Sequence, residues 1–207
     1  MSSPERTLVI ACGALAHELL AVIRASGWQH MAVQCLPADL HNRPEKITGA
    51  VRQKIHAARA SGLYCGLFVA YGDCGTGGAL DRMLAEEGVE RIAGAHCYEF
   101  LAGSAVFERL SDEELGTFYL TDFLLRHFER IVIRGLGIDR HPHLAAQYFG
   151  NYRRLVYLAQ QPSAERIGAA RAAAGQLGLA FESRQTGLAP LGRALASANR
   201  EVIQWAG

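Results

Sequence analysis

Charge of one sign is what this chain has least of: 21 Lys and Arg stand against 20 Asp and Glu in 207 residues. So close a balance gives no electrostatic reason for a nucleic acid or an anionic membrane as partner, and Arg140, Arg153 and Arg154 are too few to change that. Long apolar runs are missing too. None approaches bilayer length, so no membrane span is expected. The start, Met1-Ser2-Ser3-Pro4-Glu5-Arg6, is polar and leads straight into a strand-like segment. It lacks the pattern of a signal peptide, and a cytoplasmic location is expected. Repeats and low-complexity linkers are absent, so residues 1–207, half of them apolar, are expected to fold as a single α/β domain. The five cysteines, at uneven spacing in a reducing compartment, do not make a disulfide framework. They point instead to metal binding, catalysis or core packing.

What the chain does have is an alternation of short apolar runs with helix-like segments closed by glycine, which is βα organisation. A strand near 6–11 precedes Ala14–Ile23, where Leu15, Leu19, Leu20 and Ile23 share one helical face before Gly27. A strand near 31–35 leads through Leu40-His41-Asn42-Arg43-Pro44 to a helix near 45–60. A third strand, 64–71, enters a glycine loop and a helix near 78–87; a fourth, near 90–94, enters a helix around Tyr98. The region 105–150 is expected to be a helical insertion acting as a lid, with Tyr119, Thr121, Asp122, Asn151 and Tyr152 as substrate contacts. Strand-like stretches at 154–158 and 179–183 flank an alanine-rich helix near 163–176, and a helix from about 188 ends the chain. The predicted fold is an open, mostly parallel Rossmann-like or flavodoxin-like sheet with helices on both faces, strand order 2-1-3-4-5.

Four cysteines fall at the carboxyl ends of these strands, where open α/β sheets gather their ligands. In that order Cys12, Cys74 and Cys97 form an arc across neighbouring strands about 5 Å apart. Zinc takes three such thiolates tetrahedrally and leaves a fourth position open in catalytic sites. His96, His41 or Cys35 could complete the set. Cys65, early in the third strand, reads as core packing. In Gly72-Asp73-Cys74-Gly75-Thr76-Gly77-Gly78, the exposed amides around Gly75, Thr76 and Gly77 suit an anionic cofactor group or the Cys74 thiolate itself. The run has neither a Walker lysine nor dinucleotide spacing. Asp73 is either an orienting residue or a helix cap. Glu99 and Glu18, on helices that start at the site, are candidates to orient a ligand or act as acid or base, Glu18 being the more readily solvated of the two.

The blocks Ala11-Cys12-Gly13, Leu40–Pro44, Tyr71–Gly77, His96-Cys97-Tyr98-Glu99 with Gly103, Tyr119–Asp122 and Tyr148-Phe149-Gly150-Asn151-Tyr152 together resemble the family catalogued as domain of unknown function 1638. That resemblance implies a genomic setting beside corrinoid methyltransferases and their reductive activators. Members usually carry a cysteine where Cys97 stands, often after an acidic residue; His96 departs from that.

Residues and resemblance together lead to an expected metal-dependent transferase in corrinoid- or folate-linked methyl transfer. Zinc would be held by Cys12, Cys74, Cys97 and His96, with His41, Glu99 and Asp122 as catalytic groups. A small-molecule thiol or methyl donor and a corrinoid protein are the expected partners. Three alternatives use the same thiols: an iron–sulfur cluster in electron transfer or dehydration chemistry, a cofactor-independent two-cysteine racemase, and a non-catalytic accessory partner of a corrinoid protein. Against the racemase, no Asn-Thr pair accompanies either cysteine.

Overall fold

The computed structural model describes residues 6–196. By its contacts the chain divides into two compact units, Met1–Phe100 with Leu188–Gly207, and Leu101–Gly187.

The first unit opens with β1 (Thr7–Cys12), every residue of which is buried. An unbroken apolar run is what a parallel strand covered on both faces requires. Helix α1 (Ala16–Ala25) buries Leu19, Val22 and Ile23, and β2 (Met31–Leu36) pairs parallel with β1, Cys12 opposite Leu36. Two short 3-10 turns then lead to α2 (Ile47–Ser61), whose Ile47, Val51, Ile55 and Ala58 form a buried stripe at spacings of four, four and three residues. Gly62, at φ 63°, ends that helix in the left-handed conformation that only glycine adopts without strain. β3 (Gly66–Ala70) lies on the other side of β1, and after α3 (Ala79–Glu87) the two-residue β4 (Glu90–Arg91) pairs with β3. The sheet order is β2-β1-β3-β4, all parallel, as the sequence predicts for its first four strands. Helix α4 (Cys97–Ala102) follows. The described residues end in a helix over 189–196, with Leu191 and Leu195 fully buried.

The second unit holds α5 (Ser104–Glu113), β5 (Thr117–Thr121), α6 (Asp122–Arg126), a π-helical turn (Glu129–Ile133), α7 (Leu144–Phe149), β6 (Arg154–Ala159), α8 (Ala164–Gln176) and β7 (Ala180–Gln185). Its sheet, β5-β6-β7, is also parallel. Leu120, Leu124, Phe128, Ile131, Phe149, Leu155, Tyr157 and the small faces of Ala170 and Ala173 make its core. The α/β class with parallel strands is therefore correct, but the strands are shared between two sheets. The strands after residue 104 do not extend the first sheet; they join β5, which the sequence reading had placed within a helical stretch. The reason is local. Thr121 is at once the last residue of β5 and the N-cap of α6, accepting from the Leu124 amide at 3.2 Å, so no glycine or proline separates strand from helix.

Candidate active site

The three strand-end cysteines all belong to the first unit. β1 delivers Cys12 as its last residue, 4 % exposed. β3 runs on through Tyr71 and Gly72 to Cys74, whose φ of 49° makes it the one non-glycine residue described with a left-handed backbone. Such a conformation persists only where surrounding contacts fix it. Here the loop after β3 lies beside the loop after β4: the Asp73 amide donates to the Gly94 carbonyl at 3.1 Å and the Cys74 amide to the Ala95 carbonyl at 2.8 Å. Arg91 ties the second loop down, donating from Nη1 to the carbonyls of Ile92 (2.7 Å) and Gly94 (3.1 Å) and from Nη2 to Asp81 (2.9 Å). Side by side, the loops bring Cys74 Sγ to 3.4 Å from Cys97 Sγ at the start of α4.

Cys97 is the centre of the cluster, with Cys12 on one side and Cys74 on the other. Its thiol holds its proton well above the ordinary range, because the neighbouring sulfurs of Cys12, the larger influence, and Cys74 favour its protonated form, and burial adds to the effect. The neighbours move the other way. The hydrogen bond from Cys97 brings Cys74 down to about 5 against the opposing effect of burial, helped by His96 and the Cys97 amide. The same donor lowers Cys12, with the Ala14 amide assisting. The three sulfurs thus titrate as one system whose first proton leaves in the acid range. Among the described residues, no group of three or more His, Cys, Asp or Glu side chains is disposed as a metal cage.

Two imidazoles stand at the exposed rim. His96 is raised by its hydrogen bond to Cys74 and by that sulfur's charge, which makes the two an ion pair. His41, on the turn after β2, places Nε2 3.3 Å from Tyr98 Oη. The residue is exposed overall, but its inner side is enclosed, and that desolvation, with His96, holds its pKa below the usual value. Pro44 closes over the glycine loop: a Cβ on Gly75 would meet its ring at 3.5 Å.

The other predicted residues have identifiable local roles. Asp73 fills the glycine-loop nest with its own carboxylate, accepting from Thr76 Oγ1 (2.6 Å), the Gly77 amide (3.1 Å) and the Gly78 amide (2.8 Å). Glu99 Oε2 accepts from the Ala95 amide at 3.0 Å and so fixes the turn that presents His96 and Cys97. Asp122 lies in the second unit, buried. There it accepts from Tyr157 Oη (2.6 Å), the amides of Gln160 (3.3 Å) and Gln161 (2.9 Å), and Arg166 Nη1 (3.1 Å). Tyr119, also in that unit, meets Ser111 Oγ at 3.3 Å. Cys35 is exposed and pairs with Ala11, one position short of Cys12, which in a pleated strand puts it on the other face. Cys65 is exposed rather than in the core, its Sγ 3.5 Å from the Arg6 carbonyl, because it precedes β3 at the sheet's amino end. Glu18, for which the sequence offers either a site role or a solvated one, is buried at 8 % exposure.

One site residue was not anticipated. Tyr71 is 1 % exposed and packs against the sulfurs, Cys12 nearest. Its position one residue past an apolar strand gave it the look of plain core.

No curated protein and no solved structure matches the chain. A family profile does, over residues 35–195, a span that takes in His41, Cys74, His96 and Cys97 and leaves Cys12 before it. Since that match covers well over half of the sequence and the same thiol-bearing loops, the chain belongs to the family described as protein of unknown function DUF1638.

Proposed function

We propose that the cysteine cluster is a thiolate centre for a soft divalent cation, zinc, and that the protein uses it to transfer a methyl group to a thiol from a corrinoid- or folate-linked donor. The observation that carries this reading is the meeting of three thiols, from the ends of β1 and β3 and the start of α4, at Cys97. The donor set fits the cation chemically. Three sulfurs with imidazoles beside them are a zinc ligand set by donor type; Cys74, brought down to about 5, already favours the thiolate, and Cys12 is shifted toward it. Sulfurs sharing a tetrahedral zinc stand about 3.8 Å apart, so Cys74 and Cys97, at 3.4 Å, would have to part by a few tenths of an ångström.

When bound, zinc lowers the pKa of an incoming thiol and holds it as a nucleophile. The chain's residues do the rest. Cys12, Cys74 and Cys97 bind the cation, and His96 either completes the set or remains paired with Cys74. His41, neutral at pH 7 because its pKa is depressed, can take the proton the substrate thiol gives up, with Tyr98 holding its Nε2. The new S–C bond forms as the donor–methyl bond breaks, and the bonding pair leaves with the donor. Glu99 acts by fixing the 95–97 turn.

The same geometry weighs against the two-cysteine racemase. That chemistry needs thiols on opposite sides of a carbon, and sulfurs in contact leave no room for one. Elemental analysis of untagged protein, purified anaerobically without chelators, tests the proposal. One zinc per chain, lost in Cys74→Ser, is expected. Substoichiometric metal, or metal retained in that variant, refutes it; iron with labile sulfide replaces it with the cluster reading.

A further inference from the structure

The hydroxyl of Tyr71 is a buried oxygen with no hydrogen-bond partner of ordinary geometry among the described residues. Buried polar groups in native proteins are nearly always satisfied, and an exception at a cluster of nucleophiles needs a reason. Tyr71 owes its place to chain direction: it continues β3 past Ala70, parallel to the end of β1, where Ala11 pairs with Ala70 and Cys12 comes next. Its oxygen therefore faces Cys12, with Cys97 and Cys74 beyond, yet the contact with Cys12 falls outside hydrogen-bond geometry. A phenol hydroxyl carries a proton it can donate to a sulfur. Cys12 is itself buried, 4 % exposed, so its sulfur depends largely on protein groups for hydrogen bonds.

We propose that Tyr71 is a positioning residue: its hydroxyl is the built-in donor for the Cys12 sulfur, closing onto it when that sulfur carries a ligand's charge. Groups that hydrogen-bond a metal ligand orient it and set how much charge it gives the metal. A donor on Cys12 would also blunt that sulfur as a nucleophile, so that an incoming thiol, rather than the ligand, receives the methyl group. The inference rests on the thiolate-metal reading for its ligand-bound arm and on geometry alone for the metal-free arm.

Tyr71→Phe keeps the ring and removes only the O–H. In the metal-bound arm, zinc affinity measured against a chromophoric chelator is expected to fall about 10- to 100-fold. The thiolate-to-cobalt band of the Co(II)-substituted variant is expected to move to longer wavelength, because one sulfur becomes more electron-rich. The metal-free variant should melt at or above the wild-type temperature, since the hydroxyl makes no good bond there. Unchanged affinity and band position overturn the proposal, as does a lower metal-free melting temperature with unchanged affinity, the mark of a purely structural hydroxyl. If the wild type binds neither zinc nor cobalt, the metal reading fails by itself and proton NMR decides the placement of Tyr71. A slowly exchanging tyrosine hydroxyl resonance with a cross-peak to the Cys12 β-protons, absent in Tyr71→Phe, upholds the donor; its absence from the wild type overturns it.

Discussion

A methyl group at Gly72 would stand 2.9 Å from the backbone N, Cα and C of His96. Ordinary contact begins near 3.4 Å, so Gly72→Ala has to move something by about half an ångström, and what it meets is main chain rather than a yielding side-chain tip. Gly72 does not have a left-handed φ, so contact alone sets the penalty. The movement separates the two loops that carry the site, across the bonds from Asp73 to Gly94 and from Cys74 to Ala95. Overpacking of this kind costs about 1–3 kcal/mol, and a chain of this size loses about 2–4 °C of melting temperature for each kcal/mol. The chemistry should move with it. If the sulfur of Cys74 draws away from Cys97, it loses the largest influence holding it near 5, and its pH midpoint for iodoacetamide alkylation, followed on the Cys74 peptide by mass spectrometry, should rise. Gly49→Ala is the control of opposite sign. Its new Cβ meets nothing within 4 Å on α2, and a helical glycine replaced by alanine gains about 0.5–1 kcal/mol. A Gly72→Ala protein as stable as the wild type, with the Cys74 midpoint unmoved, would refute the account of how these loops are held.

Cys97→Ala removes the donor itself; a hydrogen bond to a charged group is worth about 1.5–3 kcal/mol, which should raise the Cys74 midpoint from about 5 by about one to two pH units in the same assay. His96→Gln should raise it less, since His96 ranks behind Cys97 among the influences that lower Cys74. The His96–Cys74 pair is lost as pH falls through about 5, where the depressed thiolate protonates, and again as pH rises through the His96 value, which lies above the usual 6.5. The melting-temperature difference between wild type and His96→Gln should therefore peak between those limits and vanish on both sides. Asp122→Asn leaves Arg166 and two amides facing a weaker acceptor; with Arg166 partly exposed, the loss should sit near about 3 kcal/mol, read as a lower urea midpoint. Cys65→Ala should leave metal content and stability essentially unchanged, because the thiol is exposed.

The first unit was legible because its signals are local and agree with one another. β1 is a nearly unbroken apolar run, α2 carries its stripe at three- and four-residue spacing, and glycine ends both α2 and α3. Once β2-β1-β3-β4 follows from such a pattern, the carboxyl ends of β1 and β3 are neighbours, and the meeting of Cys12 and Cys74 with Cys97 follows from chain direction. The second unit resisted for the converse reason. Thr117-Phe118-Tyr119-Leu120-Thr121 has the β-branched and aromatic content of a strand, but it runs into α6 without a breaker, and the helical period downstream swallows it. Splitting the strands between two sheets is a matter of long-range pairing, for which a single sequence carries no local mark.

The site itself divides along the same line. Which side chains converge could be read from strand order; how their protons are arranged could not. A bare list of three thiols does not say which of them keeps its proton. The fold places Cys97 beside both other sulfurs, so that it keeps its proton while Cys74 becomes a thiolate and the pKa of Cys12 is lowered. A centre held this way has part of its ligand charge in place before any cation arrives, because Cys74 has already lost its proton, and binding has to displace fewer than three protons. Affinity should then depend on pH with a slope below three protons per metal through the neutral range. That slope is set by the 3.4 Å approach of Cys97 to Cys74, a distance fixed by two loops that are far apart in sequence and joined through their backbones.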